Sequence, residues 1–367
     1  GTADGELYQK TCGELIQRYL DLHGHLVDAL TEALPRPEEM RPSAYERTIA
    51  ARAYDGARYL LFLGVSTNVG QVASIRTLEK QMQRLGVSPW EEVRDIAREM
   101  HDACAAPPTC VWEESQAAEP LAPTLAKYGE PHEYARQARE RVRSWAEQNV
   151  RFDASADVRD VDLAPNADPL DEIVATWLYS VGDAPYRVIL GDVSGWSAAR
   201  KNEVIDAAVE GRERREEFLR EFRAGYSYVF DVTCDIGAYR DLHRHRRCIQ
   251  IRQDWTDALG METPDLIRES GLADEYAGAL EAAAQVRRLL PEKARDYLLP
   301  FATRCRTLYK MDFAEAEYIA RVRSGVKGHI SYRKVAWEMR NRVVERDPAL
   351  GRLIQATPPE VEDPLTR

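Results

Sequence analysis

Five arginines, Arg240, Arg244, Arg246, Arg247 and Arg252, lie within thirteen positions of this chain, interleaved with His243, His245 and Cys248. A guanidinium stays charged and holds its N–H donors in a planar fork, so such a cluster suits bidentate recognition of phosphate or carboxylate. The run from Tyr239 to Arg252 carries five arginines against one aspartate, a local +4 in a chain whose formal charge is −11. Like charges this close repel, and an anion or neighbouring carboxylates must offset them. On composition alone, a solvated basic face paired with surplus acids competes with a binding site. His243 and His245 have no further Cys or His at zinc-ligand spacing, so no metal centre is expected. His23 and His25 sit in a helical pattern and are expected to face solvent. The six cysteines, at 12, 104, 110, 234, 248 and 305, form no Cys-x-x-Cys pair. They read as reduced thiols of a cytoplasmic protein, with Cys248 a packing residue.

The elements that must hold this cluster read as mostly helical. The 367 residues suffice for two or three domains, and 44% apolar with 30% charged residues is a soluble globular composition. No apolar run approaches the roughly 20 residues of a membrane helix. No charged-then-apolar leader stands at the start. The first residue, Gly1, reads as the start of a processed, truncated or tagged product. The acidic total argues against binding to nucleic-acid polymers.

Apolar spacing of three and four predicts helices over 7–33, from Ser43 through Leu63, over 72–85, 89–105 (with Ser88 and Pro89 as cap and first-turn pair) and 133–148. Prolines at 107, 108, 120, 123 and 131 mark 106–131 as a linker or surface excursion. The polar stretch 152–170 reads as a break without a core element. Beyond it, 171–181 reads as helix, 186–193 as a strand, 197–223 as a charged helix and 226–233 as a half-buried alternating strand. Thr263 and Pro264 open a short helix closed by Gly271. Helices follow over 272–290, 292–310, 312–323 and 329–345, with a frayed tail from Thr357.

The chain also repeats itself. Tyr59-Leu60-Leu61-Phe62 matches Tyr297-Leu298-Leu299-Pro300 at a shift of 238, and Arg94 falls on Arg333 after a one-residue gap. Two copies in one chain suggest a pseudo-symmetric pair with sites where copies meet. The expected division is a first, partial helical copy over 1–150, a linker over 151–170, a second copy over 171–356 and a tail over 357–367.

Arg244-His245-Arg246, with Arg240 four positions earlier, resembles the signature of the flavin-dependent (alternative) thymidylate synthases. Ala294-Arg295 leading to Leu299-Pro300 resembles that family's Ala-Arg-x-x-Leu-Pro helix, and Val322-Arg323 with Arg333 resembles its two later helices. Ala57-Arg58 to Leu61, Arg76-Thr77-Leu78 and Glu92-Val93-Arg94 resemble the same helices in the first copy. Departures are specific. Asp254 stands where the family has Ser, Ile251 and Arg252 where it has Asn-Glu, Asp241 where it has Gln, and Ala314 at the nucleotide-binding arginine that the first copy keeps as Arg76.

The resemblance implies a predominantly helical α+β fold in two copies, the first lacking its N-terminal half. It implies reductive C5 methylation of a uracil nucleotide with FAD, NADPH and methylenetetrahydrofolate. Arg244, His245, Arg246 and Arg323 would bind the cofactor, and Arg76, Arg240 and Asp254 the substrate, in one composite site. No catalytic residue is assigned, and none of the cysteines is needed as a nucleophile. A homodimer is expected. The departures leave open a catalytically silent relative, or one acting on a different nucleotide.

Overall fold

The computed structural model describes residues 3–108, 119–156, 159–213, 216–363 and 365. In chain order the helices are α1 Ala3–Ala33, α2 Pro42–Ala57, α3 Ile75–Leu85, α4 Glu91–Ala105, α5 Pro123–Ala126 and α6 Glu133–Asn149. Strand β1 Val161–Leu163 precedes α7 Pro169–Val181, α8 Tyr186–Ser194 and α9 Ala198–Val209. Then come β2 Tyr228–Asp235, α10 Ile236–Leu242, β3 Ile249–Arg252, α11 Asp265–Glu269, α12 Ala273–Leu289 and α13 Glu292–Arg295. The chain closes with β4 Arg304–Met311, α14 Phe313–Arg323, α15 Ile330–Arg346 and α16 Pro348–Gly351. It is a predominantly helical α+β fold.

Two units divide it. The first comprises residues 1–65, 150–201 and 220–367, and the second 66–149 and 202–219. Segments 1–65 and 66–149, both assigned from sequence to the first copy, therefore fall in different units.

The first unit is built on one antiparallel sheet of order β1-β2-β4-β3. Tyr228, Phe230 and Val232 of β2 and Met311 of β4 face a core with Ile319 of α14 and Val335, Met339 and Val343 of α15. All eight residues of β2 are buried, not half of them as the alternation suggests. The polar alternates are satisfied in place: Asp231 accepts hydrogen bonds from the Tyr179 hydroxyl (2.9 Å) and the Tyr186 N–H (2.8 Å). A second cluster joins Leu22 and Leu26 of α1, Ile49 and Ala53 of α2, and Tyr276 and Leu280 of α12.

Several sequence expectations are corrected. Residues 186–194 form a helix, because Tyr186, Ile189, Leu190 and Val193 recur at helical spacing and all are buried, which outweighs β-branched composition. The helix expected over 197–223 ends at Val209. The stretch 152–170 holds β1, whose Val161 and Leu163 enter the core through pairing with β2. The helix expected over 292–310 stops at Arg295, and 304–311 form a central strand, buried on both faces and so without alternation to betray it. At α4 the N-cap residue is Trp90, with Ser88 accepting the Trp90 N–H (3.3 Å). The tail is tied down: buried Arg333 donates to the carbonyls of Pro358 (3.2 Å) and Val361 (2.8 Å). Of the expected linker over 106–131, residues 109–118 lie outside the described ones. Gly271, at φ +69°, follows α11 as the sequence reading requires.

The repeated segments meet. Each begins as a 3-10 turn, Arg58–Leu60 and Asp296–Leu298, and Phe62 pairs with Pro300 in an antiparallel bridge. Leu63 N–H donates to Leu299 O (3.0 Å) while Phe301 N–H donates to Leu61 O (2.6 Å). Gly64 N–H donates to Tyr297 O (2.7 Å) while Ala302 N–H donates to Tyr59 O (3.1 Å). Shifting residue numbers by 238 turns each bond into its mate, so this strap has local two-fold symmetry. A side chain at Gly64 would strike the Tyr8 hydroxyl and Tyr297 O. The same shift carries α3 onto α14, residue for residue, and Ser74, which caps α3 through the Thr77 N–H, onto Asp312, which caps α14 through the Glu315 N–H.

Candidate functional site

Asp235 ends β2 and caps α10, its carboxylate accepting the Ala238 N–H at 2.8 Å. Helix α10 therefore starts directly at the end of β2, an inner strand, and carries Arg240 and Asp241 before the chain turns into 243–248 and returns as β3. The turn is closed around one carbonyl: Gln250 Nε2 (2.6 Å) and Cys248 Sγ (3.1 Å) both donate to His245 O. Burial pushes the Cys248 thiol up to about 11, consistent with packing rather than reaction.

Closed this way, the turn alternates. His245 points inward and is buried, while Arg244, Arg246 and Arg247 point outward and are exposed. Arg323 Nε donates to His245 Nε2 at 2.8 Å, so the imidazole carries its proton on Nδ1, which lies 3.6 Å from Glu315 Oε1. Burial, then the Arg323 charge, lowers the His245 pKa to about 4 and keeps the ring neutral. Glu315 is shifted the other way by burial, opposed by Arg247, whose Nε lies 3.6 Å from Oε2. His245 is thus committed to Arg323 on one edge and faces a carboxylate on the other. It serves as a post for Arg323 rather than a free ligand-binding group.

A second focus lies on α10. Asp241 is 3.3 Å from Arg244 Nη2 and 3.9 Å from Nη2 of Arg58, at the start of the strap. Arg240 lies 4.5 Å over the Phe301 ring, and burial, with Arg58 beside it, lowers its proton affinity. Three guanidiniums thus surround one carboxylate. Both Nε and Nη2 of Arg58, the side-on edge of the fork, are buried without a hydrogen-bond partner. Gly237 lies beside this edge: a Cβ there would press on the Asp235 carboxylate at 2.9 Å and touch Arg58 Nη2 at 3.4 Å. Sequence reasoning quoted Arg58 as part of a helix motif but gave it no ligand role.

The structure brings together His245 with Arg323, and Arg240 with Arg244. Arg246 is exposed on the same turn, and Asp254 is exposed in the loop after β3. Arg76 is exposed on the first turn of α3, in the second unit. Among the described residues no group of three or more His, Cys, Asp or Glu could hold a metal ion, and no helix is long and apolar enough to cross a membrane.

A family model described as thymidylate synthase complementing protein matches residues 223–349, which include α10, the turn, β3, α14 and α15. Residues 223–349 belong to the thymidylate synthase complementing family. The basic turn, Arg323 and the Asp241 cluster all lie in this segment, while Arg58 lies outside it. Along most of its length the chain is also similar to proteins named only UPF0159. It is 26% identical over 357 residues to one from Chlamydia muridarum, covering 94% of this chain and 65% of that protein. A relative from Thermoplasma acidophilum is 23% identical, with coverages of 94% and 73%, and one from Chlamydia pneumoniae 22%, with 94% and 64%. The chain thus spans just under two thirds of the length of both chlamydial relatives.

Proposed function

We propose that this protein is a flavin-dependent thymidylate synthase-like enzyme that methylates a uracil nucleotide at C5. The observation that carries the reading is the turn itself: within the family-matched segment, a neutral buried His245 holds Arg323, while Arg246 and the Asp241-paired Arg244 are exposed on the same turn. The residues suit FAD. Its pyrophosphate needs fixed cationic donors, which Arg244, Arg246 and Arg323 supply. The flavin, once bound, would carry reducing equivalents from NADPH, with methylenetetrahydrofolate as carbon donor. Arg58 and Arg240 would hold the nucleotide phosphate. Preorganised positive charge beside the pyrimidine favours the anionic transition state of a C5 reaction.

We read the chain as two copies of one ancestral unit, supported by the two-fold hydrogen bonds of the strap and by the coincident bounds and caps of α3 and α14. A homodimer of such chains, working in the cytoplasm on small nucleotides, completes the proposal. Asp241 and Asp254 favour a second reading, a silent nucleotide-binding relative or an enzyme for another nucleotide, because a carboxylate near the phosphate repels it.

Purified protein should show the absorption of oxidised flavin, and Arg246→Ala should lose it. A variant with normal flavin content sinks the cofactor assignment. Release of the C5 proton of deoxyuridylate, with flavin and reductant supplied, excludes the silent reading, and its absence with flavin bound supports it.

A further inference from the structure

The 238-residue shift that lays α3 on α14 also lays the residues ahead of them on one another: 66–73 fall on β4, position for position. The two segments have opposite surroundings. Strand β4 lies between β2 and β3, and seven of its eight residues are buried. Residues 66–73 belong to no helix or strand, none is buried, and their backbone makes no hydrogen bond among the described residues. Val69 is 82% exposed and Val72 fully exposed. Every residue of the segment, Gly70 included, keeps a negative φ, so a strand conformation needs no left-handed step. The helices α1 and α2 fill most of the chain ahead of the strap, and among the described residues nothing there plays the part of β1, β2 or β3. An unpaired run of backbone donors and acceptors is a template on which another strand can add.

We propose that residues 66–73 are a docking edge for an antiparallel strand of the β2 kind, contributed by polypeptide outside these 367 residues. Just over a third of each chlamydial relative has no counterpart in this chain, which is length enough to supply one. The incoming strand must bring bulk on alternate positions: β2 sets Tyr228 opposite Met311 and Phe230 opposite Tyr309, and Ala73 and Gln71 stand at those two places of β4. The inference rests on the two-copy reading above, which fixes the edge that is used. Gln253 N–H donates to Arg306 O (3.1 Å), so even-numbered residues of β4 hydrogen-bond toward β3 and odd-numbered ones toward β2. Carried back by the shift, Val69 and Gln71 direct their backbone groups at the incoming strand, and Gly70 directs its own away from it.

Amide hydrogen exchange of the full chain, alone and with an excess of a synthetic peptide of the β2 sequence 226–236 carrying Cys234→Ser, tests it. Alone, the amides of 67–73 should exchange as fast as those of an unstructured peptide. With the peptide they should slow at least tenfold. Val69→Pro, which removes an N–H aimed at the incoming strand, should abolish the slowing, whereas Gly70→Pro should keep it within twofold. Both positions are exposed, and circular dichroism should show unchanged helix content in each variant. Unchanged exchange in excess peptide overturns the inference and leaves the two-copy reading intact. Slowing that Gly70→Pro abolishes and Val69→Pro spares keeps the docking edge and sinks the register taken from the two-copy reading. Protection without peptide that grows with protein concentration assigns the edge to a second copy of this chain and overturns the choice of partner.

Discussion

His245 shows how a motif residue can be legible as a type and illegible as a role. Its place between Arg244 and Arg246 stands out in the sequence. That it turns inward to hold Arg323, with Glu315 on its other edge, depends on α14 arriving from seventy residues downstream, which no local pattern encodes. The consequence is measurable. An exposed imidazole titrates near 6.5, and the folded-state value here is lowered to about 4, so as pH falls the unfolded chain takes up the proton first. The stability His245 contributes is complete above pH 6.5 and is lost progressively as pH falls toward 4, by about 3 kcal/mol at most. Thermal melts from pH 7 to 4 should fall more steeply in the wild type than in His245→Gln; parallel curves would refute this ionisation argument. Arg58 illustrates the opposite case. Its orphaned edge is buried next to Gly237 of α10, a tertiary fact that its helical motif does not announce.

Among the elements, helices with an exposed polar face were readable from periodicity, and α3, α4, α6, α12, α14 and α15 lie within a few residues of their expected spans. The errors have two causes. Strand β4 is buried on both faces and shows no alternation, whereas helix α8 carries a buried stripe of Tyr186, Ile189, Leu190 and Val193 that its β-branched composition outweighed in the sequence reading. The cap expected at Ser88 falls two residues later, at Trp90, which makes no side-chain hydrogen bond to α4. The cap that matters most for the site is Asp312, because α14 carries both Glu315 and Arg323 and begins with the Asp312 carboxylate accepting the Glu315 N–H at 2.9 Å. Asp312→Ala should cost about 1 kcal/mol in denaturant unfolding, the usual loss of a side-chain N-cap. Since Arg247 also lies 3.9 Å from Asp312, Asp312→Asn keeps the cap and isolates the charge, and it should recover most of the loss. Equal destabilisation by both would assign the effect to the ion pair instead.

At the scale of the molecule, the charge balance decides which phosphates can bind. The total of −11 sets a repulsive background, and at physiological ionic strength it is screened beyond roughly 8 Å, so only the arginines within a few ångströms of a ligand act on it. The sequence already separated the −11 total from its +4 island, and the structure divides that island further. Arg244 and Arg247 lie within 4 Å of carboxylates, Arg240 sits over Phe301, and Arg246 projects outward. A cluster partly balanced by its own acids offers too little continuous positive surface to track a nucleic-acid backbone, whose affinity grows with the number of phosphates neutralised. A mononucleotide presents its charge at one point and needs only that point to be met. Fluorescence anisotropy at ~0.15 M salt should therefore show no binding of a short labelled DNA duplex. A labelled uracil mononucleotide should bind under the same conditions, its affinity falling only shallowly as salt is raised. Duplex binding with a steep salt dependence would show that the basic turn belongs to a continuous surface, and would replace a small phosphorylated ligand with a polymer as the partner.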